Sequence, residues 1–151
     1  ATGMNIHTNL PFGSIDVSVD GAKVVSSKEM IYKGCMLSGV PNMAFNFGYL
    51  MAGSWTQKSD LVALFVCRLM QHMRSKKMSI CMPVRDSNVQ EAKFSSFSST
   101  YLARRNDTLP KVGSSAPWDR HEDYLKDWYR LLFARLQDSV LEFRQPPRSR
   151  L

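Results

Sequence analysis

A long amphipathic helix is the feature that most narrows what this chain can fold into. Val62, Phe65, Val66, Leu69 and Met73 recur at i, i+3, i+4, i+7 and i+11, which lines one face of a 3.6-residue helix. Leu61 and Leu64 widen that face, so the pattern predicts a largely buried helix from about Thr56 to Met73. Cys67 falls inside the pattern and reads as a small core residue. Ser54 followed three residues later by Gln57 matches a capping box, in which two side chains satisfy orphaned N–H groups. Ahead of it, Met43 to Phe47 reads as a short buried strand running into Gly48. Strand, glycine turn and capped helix form an arrangement that often holds a ligand at the helix N-terminus. Gly48 and Gly53 would permit close backbone approach to such a ligand. The same residues also suit an ordinary tight loop and a structural helix, which is the commoner use of them.

Ile15, Val17 and Val19 alternate with polar residues up to Asp20-Gly21, and the pattern resumes in Ala22 to Val25. This predicts a β-hairpin with a tight turn. The stretch Ser26 to Met36 has no decisive pattern. Ile80 to Val84 reads as a short strand, and Ser95 to Ser99 as a loop. Tyr101 to Arg105 reads as one helical turn, and Gly113 to Pro117 as an irregular surface segment. A last helix is expected to start near Asp119, with Glu122 at the capping-box offset and Leu125, Trp128, Tyr129, Leu132 and Leu136 as its apolar stripe. Val140 to Phe143 reads as a final strand, and residues 145–151 as an exposed, disordered tail.

A chain of 151 residues with 44% apolar residues can bury a core. No apolar run approaches the roughly 20 residues that span a bilayer. The three cysteines, Cys35, Cys67 and Cys81, match neither a disulfide framework nor a zinc pattern. Their usage suits a reducing compartment, so the expected location is the cytoplasm. The net charge of +7 is scattered and not interleaved with aromatics, which argues for a solvated surface over a nucleic-acid site. His7, His72 and His121 have no metal-ligand spacing, and His72 reads as a structural or partly exposed residue. No nucleophile elbow, phosphate loop or carboxylate pair appears. The residues therefore offer no catalytic group and no metal site.

The order of Ala1-Thr2-Gly3, Gly39-Val40-Pro41-Asn42-Met43-Ala44, Gly48-Tyr49, Ser54-Trp55-Thr56 with Asp60-Leu61, Leu109-Pro110-Lys111 and Pro117-Trp118 resembles the C-terminal part of the flavin-dependent, Baeyer–Villiger-type monooxygenases, especially their ethionamide-activating branch. The resemblance runs from about Ala1 to Phe143 and is densest from Tyr32 to Met73. It implies an α/β architecture: a fragment of a Rossmann-like FAD-binding domain with a hairpin, one long buried helix and a helical C-terminal region. Residues 1–76 would be the C-terminal segment of the FAD-binding domain, and 77–151 an extension packing on it. The cofactors implied are FAD and NADPH. The positions carried over as cofactor-binding are Thr2, Gly3, Gly48, Tyr49, Gly53, Ser54, Trp55 and Thr56. Trp55 would sit near the flavin or the substrate pocket, or pack in the core.

The family's reaction inserts one oxygen atom from O2 into a ketone, or oxidises a nitrogen or sulfur centre, through a C4a-peroxyflavin. Two departures stand out. The loop Leu50 to Gly53 is about one residue longer than the family pattern, with Met51 where a polar residue is common. The chain also holds no G-x-G-x-x-G, the motif that makes the pyrophosphate sites. Both fingerprints are expected upstream of Ala1, on an N-terminal FAD/NADPH-binding region that would be this segment's partner, and the fragment alone is expected to be inactive. Two other readings stay open at this point: a stand-alone protein-interaction domain, and a small basic nucleic-acid-binding module.

Overall fold

The computed structural model describes residues 15–46, 54–92, 109–119 and 123–145. The expectations for Ala1-Thr2-Gly3, Gly48-Tyr49, the loop to Gly53, Ser95 to Ser99, Tyr101 to Arg105, Glu122 and the tail after Gln145 concern residues outside them. The architecture is α/β, with two α-helices and small two-stranded sheets among the described residues. Strand β1 (Ser18–Val19) pairs antiparallel with β2 (Ala22–Lys23). Asp20 and Gly21 turn the chain with φ of 51° and 82°, the two positive values a tight hairpin of this twist requires.

The unassigned stretch after Val25 contains a 3-10 turn (Ser26–Lys28) and a second hairpin, β3 (Ile31–Tyr32) with β4 (Met36–Leu37). Helix α1 (Trp55–Ser75) follows, then β5 (Ile80–Pro83), β6 (Glu91–Ala92), β7 (Val112–Gly113), helix α2 (Tyr124–Leu132) and β8 (Leu141–Arg144). β5 pairs with β8 and β6 with β7, both antiparallel. Among the described residues the one parallel pairing is an isolated bridge between Met30 and Lys111.

The core lies where β3, β4 and α1 meet Trp118, α2 and β8. Tyr32, Met36, Phe65, Trp118, Leu131 and Leu141 are buried together there. Tyr32 and Trp118 meet edge to face, with ring centroids 5.5 Å apart. Residues more than a hundred positions apart, such as Tyr32 and Leu141, thus share one interior. A second, smaller cluster joins Ile31, Leu37, Val40, Leu109 and Val112, and Val17 and Val19 of the first hairpin pack on it.

Several expectations need correction. Met43 to Asn46 form no strand. Asn42 sits at a φ of 55°, and its side chain donates to the Ser79 carbonyl and accepts from the Cys81 N–H, both at 2.9 Å. That turn commits the segment to bracing β5 rather than pairing as a strand. Gly113 is a buried strand residue, not surface. A Cβ there would lie 2.5 Å from Cβ of Trp118 and 2.6 Å from Cγ1 of Val89.

The last helix begins at Tyr124, not near Asp119. Asp123 caps it, accepting from the N–H groups of Leu125 and Lys126 at 3.0 and 3.2 Å, while Asp119 instead binds Arg130 at 3.0 Å. The expected stripe is largely inverted: Leu125, Trp128 and Tyr129 are exposed, and Asp127 and Leu131 are the buried residues of α2. Helix α1 is buried along one stripe only. Leu64 and Cys67, both read as core, are exposed. His72 is half-buried against the Phe143 ring, 4.9 Å away.

The cysteines yield a chemical test of this packing. Burial pushes the Cys35 thiol up to about 12, against an opposing pull from Lys58 and Lys33. Burial, aided by Asp138, raises Cys81 to about 11. Tyr32 is also raised, by burial first and then by its hydrogen bond to Asp138. At pH 8 a thiol reagent should label Cys67 first, with Cys35 and Cys81 slower by about a hundredfold or more, because they react only on opening. The folded state holds the buried protons more tightly than the unfolded chain. The stability these groups contribute should therefore be full below the ordinary thiol value of 9.0 and fall as pH rises toward 12. Equal labelling of all three thiols would contradict the packing described.

Candidate functional site: the N-terminus of helix α1

Ser54 precedes α1 in extended conformation and closes the capping box with Gln57. Its hydroxyl accepts from the Thr56 N–H at 3.3 Å, and its own N–H donates to Oε1 of Gln57 at 3.3 Å. The hydroxyls of Ser54 and Thr56 stand 2.7 Å apart. The Lys58 N–H reaches the Ser54 carbonyl at 3.4 Å and completes the first turn.

Ser54, Trp55, Thr56 and Gln57 are all exposed, and the first turn holds no acidic residue. Trp55 is 52% exposed, so of its two readings the core is not the one adopted. The result is the positive end of a helix about 30 Å long, open to solvent and carrying two hydroxyls. This donor set fits a negatively charged or hydrogen-bond-accepting edge of a ligand.

Behind the open end the interior is charged. Lys58 and Asp127 are each 1% exposed and meet at 2.5 Å. Lys33 is buried, with Nζ 3.2 Å from Asp138 Oδ2 and over the Tyr32 ring at 5.0 Å. The Tyr32 hydroxyl donates to the same Asp138 oxygen at 2.6 Å. Ten residues along α1 from Lys58, Arg68 donates to the carbonyls of Leu131 and Ala134, the latter at 3.1 Å. The sequence reading missed Lys33, Lys58 and Asp127. A signal existed for Lys33, which stands between Ile31-Tyr32 and Gly34, and a buried lysine requires a partner; Lys58, among Thr56, Gln57, Ser59 and Asp60, reads as an ordinary first-turn residue.

The chain is 40% identical over 148 residues to the FAD-containing monooxygenase EthA of Mycobacterium tuberculosis, a match covering 97% of this chain and 29% of that protein. It is 38% identical over 144 residues to the EthA of Mycolicibacterium smegmatis, covering 95% of this chain and 28% of the relative. It is 39% identical over 145 residues to a protein of Acinetobacter baylyi named "Probable FAD-binding monooxygenase AlmA", with 95% and 28% covered. The chain is homologous to a segment of the FAD-containing monooxygenases. It spans less than a third of the length of the relatives it matches. No protein-family model matches it, and no solved structure does.

Of the eight positions carried over from the resemblance, Ser54, Trp55 and Thr56 stand together at the start of α1. Thr2, Gly3, Gly48, Tyr49 and Gly53 lie outside the described residues. Among the described residues no helix is long and apolar enough to cross a membrane.

Proposed function

We propose that this chain is the C-terminal part of an FAD- and NADPH-dependent monooxygenase of the Baeyer–Villiger type. Residues 1–76 complete a Rossmann-like FAD-binding domain, and 77–151 pack on it. The observation that carries the reading is the solvent-open, capped N-terminus of α1, in a chain 40% identical to FAD-containing monooxygenases. Bound FAD would supply the redox chemistry, taking electrons from NADPH and activating O2 for transfer of one oxygen atom to a ketone or to a nitrogen or sulfur centre.

This chain's share is positioning and electrostatics. The dipole of α1 presents positive charge to the ring edge that becomes more negative on reduction. The mutually bonded hydroxyls of Ser54 and Thr56 add one further donor, and Trp55 offers an exposed aromatic wall. The glycine fingerprints for the pyrophosphates belong to another part of the same protein, and so does any catalytic side chain. The segment alone is then inactive, and a reducing compartment, the cytoplasm, suits its three free thiols.

The test is the reading frame upstream of the Ala1 codon and its intact product. Two G-x-G-x-x-G strand–helix units, bound FAD and NADPH-driven O2 uptake are expected. In that product Thr56→Asp places a carboxylate in the first turn. The helix should hold or gain stability, while the reduced flavin loses about 0.3–1 kcal/mol, roughly 5–20 mV in a two-electron midpoint potential. A product without the glycine units and without flavin overturns the reading. A flavin whose potential ignores Thr56→Asp removes α1 from its site.

A further inference from the structure

We infer that the buried Lys58–Asp127 pair is a positioning device that fixes where the open end of α1 points; this rests on the flavin reading above. Lys58 lies immediately beyond the capping box, and its N–H closes the first turn on Ser54. Its ammonium reaches 2.5 Å to Asp127 on the inner face of α2, with both side chains 1% exposed. Lys58 therefore ties α1 to the C-terminal part of the fold four positions from the cap. Arg68 makes the second anchor, on the carbonyls of Leu131 and Ala134. The two attachments hold α1 at two separate points, one on α2 and one at its C-terminal end and the turn beyond, and so resist sliding or swivelling of α1 on α2.

Stability alone does not explain such a pair. Desolvating two charges offsets much of their attraction, and an apolar pair of similar volume is often equally stable or more so. What an apolar pair lacks is direction: it packs over a range of rotations, whereas an ammonium–carboxylate contact is satisfied in few. A direction-setting contact one turn below a helix end matters when that end must meet a ligand within a fraction of an ångström.

The experiment uses the intact gene product carrying Asp127→Asn, or the paired replacement Lys58→Met with Asp127→Leu. Three quantities are read: melting temperature, amide exchange across residues 56–60, and the midpoint potential of bound flavin. Asp127→Asn leaves a buried ammonium without its countercharge, so it should melt lower. The paired variant should recover melting near the parent. It should nevertheless keep exchange in the first turn about tenfold faster than the parent, and a displaced flavin potential. A paired variant that matches the parent in exchange and potential makes the pair merely structural and overturns the inference. Faster exchange with an unmoved potential also overturns it. A product that binds no flavin refutes the function proposed above, and first-turn exchange then decides by itself whether the pair holds the turn.

Discussion

Trp118→Ala in the intact gene product should cost about 3–5 kcal/mol of stability, the largest effect expected of any single truncation here. Trp118 is fully buried and is the largest such side chain in the described structure. It joins the β3–β4 hairpin to the segment around β7. Its ring meets Tyr32 edge to face, and its own carbonyl accepts from the Gly113 N–H at 2.7 Å. The preceding carbonyl, of Pro117, accepts from the Lys33 N–H at 2.9 Å. Gly113 can come this close because it has no side chain, so Gly113→Ala should also destabilise, by about 1–3 kcal/mol.

The position carries one flaw: among the described residues the buried indole Nε1 has no hydrogen-bond partner. An orphaned donor costs roughly 1–3 kcal/mol. Trp118→Phe loses some contact area but deletes that donor, so it should fall within about 2 kcal/mol of the parent, far closer than size alone suggests. Chemical denaturation of the three variants checks the order. A Trp118→Phe protein as unstable as Trp118→Ala would mean that the indole nitrogen has a partner in solution.

Local signals were legible in the sequence, and partners across the fold were not. The capping box at Ser54 and Gln57 and the Asp20-Gly21 turn depend on neighbours a few residues away, and the strands around Cys81 and Phe143 showed as short apolar runs although nothing in the sequence said that they pair with each other. Met43 to Asn46 have the composition of a strand but form none: the Phe45 N–H donates to the Cys35 carbonyl at 2.8 Å, while Asn42 turns the chain just before them and ties its side chain to β5, 37 residues or more downstream. The second hairpin went unread because Lys33 and Gly34 turn it with φ of 46° and 69°, and a lysine in that conformation is not a familiar turn signal. The site shows the same division. The open helix end could be read from Ser54 to Gln57, whereas its anchor joins residues 69 positions apart and leaves no periodic trace. Helix α2 misled for a different reason. Its apolar stripe is real, but periodicity reports that a face is apolar, not what covers it.

That stripe leads to the second large effect. Leu125, Trp128, Tyr129 and Phe133 stand exposed on α2, two of them by more than 60%. The Trp128 and Phe133 ring centroids lie 4.6 Å apart, and those of Tyr129 and Phe133 6.5 Å. A helix apolar outside, with a charged residue buried inside, suits the middle of a larger structure. The relatives supply a candidate cover, since about seven-tenths of their length has no counterpart in this chain.

If the remainder of the same polypeptide covers this face, the chain expressed alone should associate and bind a hydrophobic dye. Replacing Trp128, Tyr129 and Phe133 together by serine should abolish most of that binding and improve solubility. The same three changes in the intact gene product should act in the opposite direction and cost on the order of 5 kcal/mol, from the lost burial of three aromatic side chains. The pair of opposite signs is the diagnostic, because a face that simply meets water would move neither quantity much. A chain that by itself stays monomeric, melts cooperatively and ignores the dye would identify the outer face of α2 as a true surface. It would also weigh heavily against the segment being part of a larger flavoprotein.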